Sequence, residues 1–255
     1  MTNIFIIFVA LIGLVIGSFL NCLIWRLYKD ETIGGRSYCP QCRHQIAWHD
    51  NIPVLSFLLL KAKCRHCHKP ISWQYPLVEI ATAVLFLLAF FKDAPSAQFS
   101  FLLIKDWLLI ITLIVVFVYD FRWQLVPMNI IWPMCAIMFI LNIFLGISWV
   151  TIIISALAVA AFFFAQYIFT KKKGLGEGDI WLGLLLGLSF PDFYQLLAIL
   201  VISYSIGALI SIILVIVKKK QGKSRIALGP FLASGAIITL IWGEQIINWY
   251  MGLFY

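Results

Sequence analysis

Two sets of residues in this chain have types and spacings that could do chemistry. The first is Cys39-Pro40-Gln41-Cys42, followed after 21 intervening residues by Cys64-Arg65-His66-Cys67. Thiolates are soft ligands, and a two-residue gap lets both sulfurs of a pair reach one ion, so the pattern predicts a structural tetrahedral zinc site. His44, His49, His66 and His68 lie in the same stretch. Four thiolates complete a tetrahedron without them, so the histidines are expected in solvent or around the site. A redox-active dithiol is the alternative use of such pairs.

The second set is a pair of carboxylates in apolar surroundings. Asp179 closes the Gly-rich stretch Gly174-Leu175-Gly176-Glu177-Gly178-Asp179, which follows Lys171 to Lys173 and leads into an apolar run from Ile180. Asp120 ends the apolar run that precedes Arg122. A carboxylate at the start of a membrane helix is costly unless it has a partner or a task. Two carboxylates that converge on one water can share a proton. One then acts as base on the water and the other as acid toward a carbonyl, which cleaves a peptide bond without a nucleophilic side chain. The glycines would free the backbone and let another segment approach closely. The competing reading is structural, with Asp120 and Asp179 as helix caps or as ion-pair partners of Arg122 and of Lys171 to Lys173. Glu79, one turn into its span after Pro76, is a further acid of interest. Glu177 is expected to point away, and Asp192 and Glu244 map to the other side of the membrane.

The elements that must position these residues are membrane helices. Of 255 residues, 63% are hydrophobic and 12% charged, and the mean hydropathy is +0.99. That composition excludes an ordinary soluble domain. Apolar runs fall at about 4–24, 76–91, 101–119, 127–146, 149–170, 180–190, 193–217 and 226–250. The fold class predicted is an all-α polytopic protein of about eight transmembrane helices, with a cytoplasmic zinc-binding loop between the first two. The run 4–24 is too long for a signal-peptide core and lacks a basic stretch before it, so it reads as a retained first span. The run 180–190 is the short one, about half a hydrocarbon core at roughly 1.5 Å per residue. It is expected to start deeper, within Gly174 to Asp179, or to be re-entrant.

A net charge of +8 in a soluble protein would suggest nucleic acid. Here all 19 Lys and Arg except Lys92 and Lys105 fall within 26–69, at Arg122, and in 171–173 and 218–225. Alternating eight spans from an external N-terminus puts every one of those groups on one side. That side is cytoplasmic by the positive-inside rule, and the expected partner of the charge is anionic lipid. Loop 92–100 and the turns near 146–149 and 191–192 come out external. Cysteines in a cytoplasmic loop favour metal over disulfide. Trp and Tyr at the span ends read as an interfacial belt, and Gly13-x-x-x-Gly17 and Gly183-x-x-x-Gly187 as helix contacts.

The motifs also follow a family order. Gly17-Ser18-Phe19-Leu20-Asn21 leads to Arg26. Trp48 and Asn51-Ile52-Pro53-Val54-Leu55-Ser56 lie between the cysteine pairs. Ile71-Ser72 and Tyr75-Pro76-Leu77-Val78-Glu79 follow, then Asp120 with Leu125-Val126-Pro127, Gly176-Glu177-Gly178-Asp179, and Gly229-Pro230-Phe231-Leu232-Ala233. In this the chain resembles the type IV prepilin peptidases, bifunctional leader peptidases and N-methyltransferases of the membrane aspartyl GxGD class. Met128 and Trp181 depart from the acid and the lysine common in that family.

The resemblance implies Asp120 and Asp179 as the catalytic pair, with Gly176, Gly178 and Glu79 in support. It implies Cys39, Cys42, Cys64 and Cys67 as zinc ligands, and S-adenosylmethionine as methyl donor. It implies prepilin or pseudopilin substrates, cut after a glycine at the cytoplasmic face of a bacterial inner membrane. Two parts are expected: residues 1–75, a first helix plus a methyltransferase-associated loop, and 76–255, the helical peptidase. A peptidase without methylation, a transporter and a membrane scaffold are the alternatives.

Overall fold

A computed structural model describes residues 2–94, 99–171, 175–217 and 227–253. Lys172, Lys173, Gly174 and the basic group 218–225 lie outside the described residues, as do residues 95–98 of the expected loop 92–100. The described residues are helical, with no β-strand among them beyond isolated bridges in the cysteine loop. In chain order the helices are α1 (Thr2–Lys29), α2 (Leu55–Leu59), α3 (Gln74–Asp93), α4 (Phe99–Trp123), α5 (Met128–Phe144), α6 (Trp149–Phe169), α7 (Glu177–Ser189), α8 (Phe193–Ile216) and α9 (Gly229–Met251). The eight long ones match the eight apolar runs. Six of them, α1, α3, α4, α6, α8 and α9, are long and apolar enough to cross a membrane, and α5 is apolar but has 17 residues. This is a multi-pass membrane protein. α7 has only 13 residues, about 20 Å of helix. It begins three residues before the apolar run, and so takes Glu177, Gly178 and Asp179 into its first turn.

The chain divides into two compact units, Met1–Pro95 and Ser96–Tyr255. The first therefore holds α3 together with α1 and the cysteine loop, whereas the expectation put α3 with the later helices. α1 and α3 run antiparallel, because Gly13 meets Ala83 and Gly17 meets Glu79. A Cβ at Gly13 would lie 2.5 Å from the Ala83 Cα, and one at Gly17 would lie 2.6 Å from the Glu79 Cα. Gly13-x-x-x-Gly17 is thus the line along which two backbones touch. Asn21 continues it, donating to the carbonyls of Gly17 and Tyr75 and accepting from Gln74.

In the second unit α4 is central and α8 peripheral: 56% of the membrane-length window of α4 is buried, against 11% for α8. Leu109, Ile110, Leu113, Val115 and Val116 of α4 are fully enclosed, as are Leu182 and Leu185 of α7 and Leu232, Ala233 and Ala236 of α9. The outer face carries Ile154, Leu157, Leu209 and Ile212 in the open, which suits hydrocarbon. α7 lies antiparallel to α6, with Gly187 against Ala156 and Gly183 against Phe163. Its last turn is closed by Asn142 of α5, whose side-chain amide donates to the Leu188 carbonyl. A helix that stops inside apolar surroundings must have its last carbonyls satisfied by a neighbour.

Candidate active site and metal loop

Two small turns of the same design build the cysteine cluster. In the first, the Cys39 N–H donates to the His44 carbonyl, and the Arg43 N–H donates back to the Cys39 carbonyl. In the second, the Cys64 N–H donates to the Lys69 carbonyl and the His68 N–H to the Cys64 carbonyl. Arg43 and His68 hold the equivalent left-handed position, at φ 58° and 56°. Each turn is flanked by one bridge, Tyr38 to Gln45 and Lys63 to Pro70. The four Sγ atoms lie within 4.8 Å of one another, with Cys39 and Cys67 at 4.0 Å. A tetrahedron with bonds of about 2.3 Å has edges of roughly 3.8 Å, so the cluster needs little movement to close on one ion. All four cysteines are free. Main-chain N–H groups of Cys67 and His66 help hold the Cys64 thiol down to about 7, whereas burial and the neighbouring Cys39 and Cys67 sulfurs push the Cys42 thiol up to about 11, so without an ion the cluster does not carry four thiolates.

No histidine joins the cluster among the described residues. The rings of His44 and His66 lie against each other, 3.7 Å between centroids, and His49 neighbours Asp50. Arg65 bonds Asp50 through two nitrogens at 2.6 and 2.7 Å, and its guanidinium holds the Asp50 carboxyl below the usual carboxylate range. Arg26, buried at the end of α1, donates to the carbonyls of Ile33, Gly34, Gly35 and Arg36 and so ties down the segment entering the first turn. Its chemistry was not legible from the sequence, because its acceptors are main-chain atoms. Glu79 is buried on α3 and accepts from the Val54 N–H at 2.7 Å. Val54 sits at φ 60°, an uncommon conformation for a β-branched residue, at the start of α2. Glu79 and Val54 belong to the first unit, and the two aspartates belong to the second.

Asp120 and Asp179 are both in the second unit and both buried. Asp120 is in the last turn of α4 and Asp179 in the first turn of α7. They lie within electrostatic reach of each other. Neither pairs with Arg122 or Lys171; the ion pairs among the described residues all lie elsewhere. Asp179 accepts from the Gly176 N–H at 3.0 Å, and Asp120 from the main-chain N–H of Gly229, the first residue of α9.

The glycines act by close approach rather than by unusual dihedrals. Gly176 has an ordinary φ of −85°, and a Cβ there would meet nothing closer than 3.7 Å. A Cβ at Gly178 would lie 2.5 Å from Val126 Cγ2. Val126 belongs to the segment just after Asp120, so this contact holds the two aspartate segments together. Trp181, where the resembling family commonly has lysine, packs on Trp132 of α5 at 4.2 Å between centroids. Tyr167 donates to Glu177, which leaves Glu177 exposed and turned from Asp179. The contact with Gly229 was missed at the level of sequence. Its one signal is the motif Gly229-Pro230-Phe231-Leu232-Ala233, which marks the segment without saying what it touches.

These features define a multi-pass helical membrane protein with a four-cysteine loop and a buried aspartate pair. The chain matches the Bacterial Peptidase A24 N-terminal domain over residues 11–92 and the Type IV leader peptidase family over residues 107–212. It is 31% identical to a prepilin leader peptidase/N-methyltransferase of Legionella pneumophila, over 96% of this chain and 93% of that protein. Proteins of the same description from Aeromonas hydrophila (32%, over 95% and 92%) and Pseudomonas aeruginosa (30%, over 97% and 93%) match alike. This chain belongs to the prepilin leader peptidase/N-methyltransferase family. No solved structure matches it.

Proposed function

We propose that this protein removes the leader peptide from type IV prepilins or pseudopilins at the cytoplasmic face of a bacterial inner membrane, and then N-methylates the new terminus. The observation that carries the reading is the juxtaposition of Asp120 and Asp179, buried, without basic partners among the described residues, and set in a chain of this family. One aspartate, ionised, takes a proton from water as its oxygen attacks the scissile carbonyl. The other, protonated, gives its proton to the carbonyl oxygen. Collapse of the tetrahedral intermediate expels the amine, which leaves with a proton, and the dyad recovers its shared one.

The metal that suits the loop is zinc. Four thiolates in a closed tetrahedron leave no open position for substrate, so its part is structural. Bound there, it would hold the two cysteine turns together. S-adenosylmethionine, when bound, supplies a methyl group on a cationic sulfonium. In the first unit the Glu79 carboxylate, buried and with no ion pair among the described residues, suits a positive charge. Anionic lipid around the basic segments completes the partners in this reading.

The test is intact-mass analysis of a prepilin incubated with purified protein, with and without S-adenosylmethionine. Loss of the leader, and a methyl mass gained with the donor, is the expected result. Leader loss alone would make the protein a peptidase. Asp120→Asn and Asp179→Asn each abolish cleavage while leaving insertion intact; substantial residual cleavage in either variant would remove the dyad.

A further inference from the structure

The aspartate pair leaves one neighbour without a role. Asp120 ends α4, and the residue that meets its carboxylate is Gly229, which begins α9 far along the sequence. Two observations coincide there. The Gly229 main-chain N–H donates to the Asp120 carboxylate. A Cβ at position 229 would overlap Asp120 Oδ2, and would lie 3.0 Å from Cγ and 3.3 Å from Cβ. The clash is with the carboxylate itself and with the short stem that fixes it, so a rotation of Asp120 about its side chain would be needed to relieve it. α9 cannot easily give way. Its first turns are buried at Gly229, Pro230, Leu232, Ala233 and Ala236, and Gly235 sits against Ser203 of α8. Pro230, in that first turn, has no N–H of its own to offer. The Gly229 donor thus stands at the positive end of a helix, where an anion is favoured.

We propose that Gly229 is the positioning residue of the aspartate pair. Its N–H aims the Asp120 carboxylate, and its missing side chain is the space the carboxylate occupies. α9 thereby acts on the reaction through Asp120 and touches no reacting atom. The inference rests on the peptidase reading, and the experiment keeps the two separable.

Leader cleavage is measured for the parent, Asp120→Asn, Gly229→Ala and Ser234→Ala, with kcat and KM resolved and binding of an uncleavable prepilin titrated alongside. Gly229→Ala is expected to lower kcat on the order of 100-fold, as a small misplacement of a reacting group does. KM and the stoichiometry of substrate binding stay at parental values. Ser234→Ala, one turn along α9, keeps the parental kcat. A kcat loss matched by an equal loss of binding-competent protein would mean a merely structural role and overturn the proposal, as would an unchanged kcat. A parent that does not cleave, or an Asp120→Asn variant that does, would overturn the peptidase reading and this inference with it. Should Gly229→Ala fail to fold, the same substitution is made in an Asp120→Ala background, which removes the overlapped carboxylate. Recovery of a folded protein there supports the contact. Failure in both backgrounds overturns it.

Discussion

At the scale of single residues, the Gly-x-Gly-Asp segment separates two glycines that look alike in sequence. Gly178 is pressed by Val126, with Cγ2 and Cβ at 2.5 and 2.7 Å from where a Cβ would stand. Gly176 has room and an ordinary backbone. Gly176→Ala should therefore leave cleavage and thermal stability near the parent. Gly178→Ala should destabilise by about 1–3 kcal/mol, the usual cost of overpacking, and lower cleavage by displacing Asp179. Val126→Gly should restore part of that loss, because both the Cγ2 and the Cβ that clash are gone. Melting temperatures of the four variants in detergent give the coupling; purely additive effects would show that the two side chains do not meet. The aspartates themselves were legible because a carboxylate in an apolar run has few uses. Val126 and Gly229 were not, because their meaning lies in what folding brings beside them.

At the scale of elements, the cysteine loop was legible in outline and hidden in detail. The paired Cys-x-x-Cys spacing pointed to one ion. Only the folded loop shows that Arg43 and His68 occupy matching left-handed positions, so that both turns present their sulfurs alike. It also shows Arg26 and Glu79 anchoring the loop to α1 and α3 through main-chain atoms, a kind of bond that leaves no residue-type signal. The loop has few enclosed apolar side chains, Phe57 and Cys39 among them, so an ion held by the four thiolates would supply much of its order. Elemental analysis of purified protein should give one zinc per chain. A strong chelator should remove it and melt the loop, with helix content nearly unchanged because α1 and α3 pack through Gly13 and Gly17. Replacing Cys39 and Cys42 by serine should abolish methyl transfer and spare most leader cleavage, since Asp120 and Asp179 belong to the other unit. Protein purified without metal, yet with an ordered loop, would sink this account.

At the scale of the whole molecule, the helix order decides which side the chemistry is on. Within the second unit Asp120 ends α4, Asp179 begins α7 and Gly229 begins α9, so all three share one edge, and the turn around Ser148 between α5 and α6 belongs to the opposite edge. Hydropathy read that alternation from sequence despite α7 being too short to span, because the basic residues fall on one side only when α7 is counted. The sidedness can be measured in spheroplasts with a membrane-impermeant thiol reagent, after replacing Cys22 and Cys135 by serine. Ser148→Cys, exposed before α6, should be labelled in intact spheroplasts, and Thr170→Cys, exposed after α6, only once the membrane is opened. The metal-loop cysteines should stay unlabelled until then as well. The reverse pattern would put the aspartate pair on the external face, out of reach of a leader held in the cytoplasm, and the proposed substrate would have to be given up even if both carboxylates proved catalytic.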